Sequence, residues 1–370
     1  MSSSSSFRVG VLTGGGDCPG LNAVIRAVAK SLMLQHDAEI IGLRDGFQGL
    51  IERQVQPLEY VDVSGILTRG GTILGASNKA NPFSYYRRGN ADVSAEALKT
   101  YRSLGLDGLV AIGGDGTMSI AHGLSEMGMN IVGVPKTIDN DLVGTDETFG
   151  FDTAVSIATE AMDRIHTTAQ SHHRIMVVET MGRYAGWIAL HAGAASGADV
   201  ILIPEVEFDV EEIARVCEER AEGGQRFTII SIAEGAKPLG GRMAVRERID
   251  DSPDPIRLGG IGNQLAESLK DHVDSAVRTT ILGHVQRGGT PTAYDRNLST
   301  SFGATAAAMV ASGQFGQMVA YQGGSFTSIE LSEVANKTRT VPLSNRLLQS
   351  ARALGTSFGR PDAMIAEAAG

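Results

Sequence analysis

The chain is short of cysteine, short of positive charge and without a long apolar run, and each shortage removes a class of protein. Its two cysteines, Cys18 and Cys217, have neither the close spacing of a metal site nor the number that a disulfide framework needs. Reduced thiols in the cytoplasm are the expectation. A formal charge of −10 argues against broad binding to nucleic acid or to an anionic membrane, since both need a basic surface. An anionic small substrate stays open, provided that arginines gather locally. After Met1 come five serines, with no basic stretch and no apolar core, so the start reads as a flexible tail and not as a signal peptide. The most apolar segment, Tyr184 to Pro204, is interrupted by His191, Asp199 and several glycines; it reads as a buried helix followed by a strand at Val200–Ile203. Internal repeats are missing, and so is low complexity beyond the serine tail.

What the chain does have is length and glycine. Its 370 residues exceed one comfortable core and suggest two domains. Its 46 glycines follow no period, which excludes collagen and favours many tight turns between strands and helices. Strand-like runs at Phe7–Leu12, Glu39–Leu43, Leu106–Ile112, Ile131–Val134, Ile175–Glu179, Val200–Ile203, Phe227–Ala233 and Thr279–Leu282 alternate with helical patterns. The helices are expected at Asn22–Leu34, Ala95–Leu104, Thr117–Met127, Thr153–Gln170, Val210–Ala221 and Ile261–Lys270. Such alternation predicts an α/β protein with mostly parallel sheets covered by helices on both faces. One sheet is complete by about residue 149 and a second begins near Ile175, with the substrate expected in a crevice between the two. The stretch from Asn336 to Gly370 mixes basic and scattered apolar residues, and its end reads as frayed.

Four groups of residues carry chemistry. Thr13 to Gly20 joins a strand to a helix; its glycines let backbone N–H groups approach an anion at a helix start, although a plain tight turn explains them equally. No Gly-Lys-Ser/Thr follows, so this is not a P-loop. Gly113-Gly114-Asp115-Gly116-Thr117 also follows a strand: Asp115 is placed to reach magnesium while the glycines keep side chains off a polyphosphate, or else Asp115 caps the next helix. In Pro135-Lys136-Thr137-Ile138-Asp139-Asn140-Asp141, Asp139 suits a proton acceptor, Thr137 a positioning hydroxyl and Lys136 an electrostatic stabiliser, while Asp141 orients neighbours or approaches a metal. The competing reading is an Asx-rich turn. Finally, Arg174, Met181-Gly182-Arg183, Arg278 and His284-Val285-Gln286-Arg287 flank strands, where arginines suit a sugar-phosphate clamp or, singly, surface ion pairs.

Taken in order, Gly10 to Ala23, Gly113 to Thr117, Pro135 to Asp141, Met181 to Arg183, Pro204 to Glu207 and Leu282 to Gly289 resemble the 6-phosphofructokinase family from about residue 7 to residue 335. The resemblance implies two Rossmann-like three-layer αβα domains with the active site in the cleft between them. Residues 1–149 with about 286–336 would bind nucleotide and magnesium, and about 150–285 with 337–370 the sugar phosphate. It implies ATP-dependent phosphorylation of the 1-hydroxyl of fructose 6-phosphate. Asp139 would be the base and Asp115 the Mg2+ ligand, with Gly16, Gly114, Gly116 and Thr117 as nucleotide contacts. Thr137, Ile138, Met181, Gly182, Arg183, Glu234, His284, Val285, Gln286 and Arg287 would hold the sugar, with Arg174 and Arg278 reaching in from a neighbouring subunit of a homotetramer or homodimer.

Two positions bear on the phosphoryl donor. Gly116 is the residue of ATP users, whereas pyrophosphate users carry aspartate there; Lys136 is the residue of pyrophosphate users, shared by a mixed group of ATP enzymes. ATP is the expected donor and pyrophosphate the alternative. A non-catalytic subunit is a further reading, opposed by the retention of Asp139, Asp115 and Arg183. Asn78 and Lys79 stand where bacterial allosteric members carry an arginine-phenylalanine pair at the nucleotide, so Lys136, Lys79, Arg87 or Arg88 is expected to meet the transition-state charge.

Overall fold

The computed structural model describes residues 7–248, 256–361 and 364–365. The serine tail and the frayed end, 366–370, lie outside the described residues. The described chain divides into two compact units. The first takes the residues up to Asp152 and those from Arg287 to Thr338; the second takes those from Thr153 to Gln286 and from Arg339 onward.

The first unit is built on a seven-stranded sheet. Across it the strands run Ser325–Glu330, Gln317–Gln322, Ile131–Pro135, Gly108–Gly113, Arg8–Thr13, Glu39–Leu43 and Val55–Leu58. The inner pairings are parallel and the two outermost are antiparallel hairpin-like additions. Gly108–Gly113 and Ile131–Pro135 are buried along their whole length, as strands covered on both faces must be, and so read as continuous apolar runs. Fully burying a side chain such as Val11, Leu109 or Ile131 contributes roughly 1.5–3 kcal/mol. The register pairs Thr13 with Ile112 and Gly113 with Pro135, so three adjacent strands end side by side at one edge of the sheet.

The helix Ala293–Ala311 lies along Leu21–His36 and was not legible as a helix from its pattern. Its alanines, serines and glycines blur the apolar stripe. That composition is what lets the two backbones approach: a Cβ on Gly303 would stand 2.7 Å from the Val24 carbonyl oxygen.

The second unit has a four-stranded parallel sheet ordered Val277–Ile281, Ile175–Thr180, Thr228–Ala233 and Val200–Leu202. The apolar segment near Tyr184 resolves into the helix Trp187–Ala195 and the strand Val200–Leu202. Among the described residues no helix is long and apolar enough to cross a membrane. The described residues from Arg339 onward belong to this unit: Trp187 Nε1 donates to the Arg339 carbonyl at 3.1 Å, and the helix Arg346–Ala353 packs on Trp187–Ala195. Ser357 then bridges to Val200 with its carbonyl accepting from Ile201 at 2.8 Å, which covers an edge strand that would otherwise expose unpaired backbone.

Candidate active site

In the first unit the chain leaves Arg8–Thr13 in a loop whose amides are partly spent on structure. Gly14 N donates to Ile112 O at 2.8 Å and Gly15 N to Ser77 O at 3.1 Å, with Gly15 in the left-handed region at φ 75°. The neighbouring Gly113 and Gly14 exist to admit Thr117: a Cβ at either would lie 2.2 or 2.5 Å from its Oγ1. Thr117 is buried in that packing, so its side chain holds the two glycine loops together. Gly15, Gly16 and Asp17 line an open cavity of about 420 Å³ with Thr72, Ala76 and Asn78.

The helix Asp115–Glu126 starts at Asp115 itself, with Gly114 in the capping position. Asp115 is therefore not a cap; it is an exposed carboxylate in the first turn, where the helix dipole favours negative charge. Beside it, a Cβ on Gly116 would meet nothing within 4 Å. Asn78 is exposed, and the Lys79 ammonium sits 5.9 Å from the centre of the Tyr86 ring. Arg87 and Arg88 are half-exposed and pair with Glu52 at 2.9 Å and Glu96 at 2.6 Å.

Lys136 continues the next strand, its N–H donating to Gly113 O at 2.9 Å. Its side chain is buried and its ammonium donates to the Gly16 carbonyl, while Arg287 Nη1 donates to the next carbonyl, that of Asp17, at 3.2 Å. Two cations thus hold two successive peptides of the glycine loop. Burial lowers the Lys136 pKa, helped by Arg287 and opposed by Cys18, Asp115 and Asp139. Burial likewise pushes the Cys18 thiol up to about 12, leaving it neutral between these charges.

Beyond Lys136 the backbone turns tightly. Asp139 N donates to Thr137 Oγ1 at 3.0 Å, and Asn140 takes a left-handed φ of 50°. Asp139 and Asp141 are both partly exposed, whereas the Ile138 side chain is wholly buried, so only its main chain can meet a ligand. Crowding by protein, and then the negative Asp139 and Asp115, push Asp141 up to about 7 against a hydrogen bond with Thr137. A proton on Asp141 relieves that repulsion.

In the second unit, Ile175–Thr180 and Val277–Ile281 are neighbours and deliver Met181–Arg183 and Gly283–Gln286 from the same sheet edge. Thr228–Ala233 adds Glu234, whose N–H donates to Thr180 O at 2.9 Å. The loops are locked by close approach: Gly182 has φ 132°, Gly235 N donates to Gly182 O at 3.1 Å, and a Cβ on Gly235 would overlap the Arg183 carbonyl oxygen at 1.8 Å. Gln286 is completely buried, accepting from Met181 N at 3.3 Å and donating to Gly283 O at 3.0 Å. It fastens the two loops to each other, and its side chain is not the substrate contact expected from the sequence. Met181, Gly182, Arg183, Glu234, His284 and Val285 are therefore gathered, with His284 and Val285 exposed.

Arg174 and Arg278 are not part of that group. Arg174 precedes Ile175, and Arg278 pairs in register with Met176, so both stand at the amino edge of the sheet. At about 3.3 Å per residue, the six-residue strand Ile175–Thr180 separates Arg174 from the loop that carries Arg183 by roughly 20 Å. The sequence reading also passed over Glu179, which lies buried within a strand and accepts from Gly260 N at 3.0 Å and Gly262 N at 2.8 Å. It serves the start of the helix Ile261–Leu269, and only long-range pairing reveals this.

Glycine turns, a helix start and acidic groups at the carboxyl ends of parallel strands define an α/β protein of the phosphate-handling type. The comparison with known proteins is specific: a family model described as Phosphofructokinase matches residues 8–310. The ATP-dependent 6-phosphofructokinase 2 of Clostridium perfringens is 50% identical, over 95% of this chain and 98% of that one. The pyrophosphate–fructose 6-phosphate 1-phosphotransferase of Amycolatopsis mediterranei is 52% identical, over 91% and 97%. A phosphofructokinase structure from Saccharomyces cerevisiae aligns with a TM-score of 0.75 at 30% identity, covering 98% of this chain and 50% of that one. This chain belongs to the phosphofructokinase family.

Proposed function

We propose that the protein is an ATP-dependent 6-phosphofructokinase, transferring the γ-phosphoryl group of ATP to the 1-hydroxyl of fructose 6-phosphate in glycolysis. The observation that carries this is the alignment, at one edge of the first unit's sheet, of the Gly14–Asp17 loop, the Gly113–Thr117 helix start and the Lys136–Asp141 turn. In this reading the first unit supplies the donor site and Asp139, which takes the proton from the attacking hydroxyl. The free amides of the glycine loop and the start of the helix Asp115–Glu126 orient the phosphates. The second unit supplies the sugar-phosphate clamp through Met181, Gly182, Arg183, Glu234 and His284.

Among the described residues no three His, Cys, Asp or Glu side chains converge as a metal cage. Magnesium bound with a nucleotide takes one or two carboxylates and completes its shell with phosphates and water. Asp115, exposed and unencumbered by capping, is the ligand we assign. When bound, Mg2+ neutralises charge developing on the phosphate oxygens.

The amino-edge placement of Arg174 and Arg278 supports their use by a neighbouring subunit, so a homodimer or homotetramer is part of the proposal. The two buried free thiols suit a cytoplasmic protein. A pyrophosphate-dependent reaction is the second reading, favoured by Lys136 and by the Amycolatopsis relative. Open space at Gly116 favours ATP. An aldolase-coupled assay of purified protein with each donor decides between them. With the active donor, Asp139→Asn is expected to lose about 10²–10⁴-fold in kcat while keeping its fold and its KM values; a near wild-type rate removes Asp139 as the base.

A further inference from the structure

The turn that carries Asp139 is held by a side-chain bracket that includes no reacting group. Asn140 is buried, 4% exposed, and sits between the two carboxylates in the left-handed conformation. Its Oδ1 accepts from Thr148 N at 3.0 Å, and its Nδ2 donates to the Asp146 carbonyl at 3.3 Å. Thr148, also buried, has one hydroxyl proton; the bond to Thr137 O at 2.8 Å takes it, with Asn140 Oδ1 a longer contact at 3.3 Å. Thr137 and Asn140, on either side of Asp139, are thus both fixed to residue 148.

Residues 145–148 are themselves anchored. Asp146 N donates to Tyr321 O at 2.7 Å, Asp146 Oδ2 accepts from Gly323 N at 2.8 Å, and Thr145 Oγ1 accepts from Tyr321 N at 3.0 Å. The hairpin formed by Gln317–Gln322 and Ser325–Glu330 is part of the main sheet, so the bracket refers the turn to a rigid element.

We infer that Asn140 and Thr148 are positioning residues for phosphoryl transfer, holding Asp139 at the angle from which it meets the substrate hydroxyl. The inference rests on Asp139 being the base. Asparagine meets two demands at once. It tolerates φ above zero better than most side chains, and its amide provides both the acceptor for Thr148 and the donor for Asp146. Glycine satisfies the first demand alone; alanine satisfies neither.

Asn140→Gly and Thr148→Val test this by steady-state kinetics with the active donor, with Thr148→Ser as the rescue. Because misplacing a reacting group by about 1 Å costs about 10²-fold, kcat is expected to fall by up to that factor, with KM for donor and sugar phosphate little changed and Thr148→Ser close to wild type. Unchanged kcat in both bracket variants, or a loss confined to KM, overturns the inference. Amide hydrogen exchange across residues 137–148 reads the bracket without any turnover. Faster exchange in Asn140→Gly, with global unfolding little affected, supports it; exchange equal to wild type overturns it. A wild-type enzyme that phosphorylates nothing with either donor defeats the reading of Asp139 as base, and the exchange measurement still decides whether the bracket holds the turn.

Discussion

The ammonium of Lys136 donates to the main-chain carbonyl of Gly16, across 120 residues of sequence, and does so while buried. A trans peptide points its N–H opposite its C=O, so fixing this carbonyl inward turns the Asp17 amide the other way. Lys136 thereby shapes the glycine loop from behind.

Removing that ammonium with Lys136→Met is expected to raise the donor KM by about 10–100-fold, the equivalent of one charged hydrogen bond at about 1.5–3 kcal/mol. Steady-state kinetics at saturating fructose 6-phosphate separates the possibilities. A fall in kcat with unchanged donor KM would mean that Lys136 acts directly on the transferring group instead.

A Cβ at Gly116 meets nothing within 4 Å, so Gly116→Asp starts into open space. The new carboxylate repels the nucleotide phosphates, so ATP turnover is expected to drop by at least about 10²-fold, because like-charge juxtaposition costs several kcal/mol. Pyrophosphate turnover is expected to fall less or to rise. Equal losses with both donors would disconnect this position from donor choice.

Gly235→Ala sets a methyl group on the Arg183 carbonyl. Backbone must shift to accept it, so a stability loss of about 1–3 kcal/mol is expected, with a raised KM for fructose 6-phosphate and little change in donor KM. Thermal melting together with the two KM values checks it; a donor-specific effect would contradict the assignment of this loop to sugar binding.

Asp141 has a folded-state pKa raised to about 7, above the ordinary carboxyl value, by crowding and by Asp139 and Asp115. The folded state therefore holds a proton that the unfolded chain has already released, and stability contributed by Asp141 declines as pH rises from about 4 to about 7. Asp141→Asn cannot lose a proton there. Its melting temperature relative to wild type is expected to be higher at pH 8 than at pH 4, measured without Mg2+; a difference that does not vary with pH would show that Asp141 ionises normally.

Much of this was legible because it is local. The parallel strands and the glycine and Asp-rich turns that follow them announce themselves through the residues beside them. Gln286 was misread because it belongs to a recognisable motif, yet its side chain is consumed by bonding Met181 and Gly283. No nearest-neighbour pattern distinguishes a motif residue that faces a ligand from one that faces the core. Asn140 escaped notice for a related reason: its partners Asp146 and Thr148 are close in sequence, but their anchor, Tyr321, is 176 residues from Thr145. The helix Ala293–Ala311 was hidden by small residues whose value lies only in letting another helix come close.

By itself the sequence determined the alternation of strands and helices, the order of the motifs and the presence in them of carboxylates, a lysine and a set of arginines. These follow from short-range periodicity and from side-chain chemistry. Tertiary structure decided how they are used. Parallel register brings Thr13, Gly113 and Pro135 to one edge, Lys136 is drawn under the glycine loop, and Arg174 and Arg278 are left at the amino edge, away from Arg183. Those outcomes depend on strand order and on contacts between residues a hundred or more positions apart, which close packing fixes and no local pattern encodes.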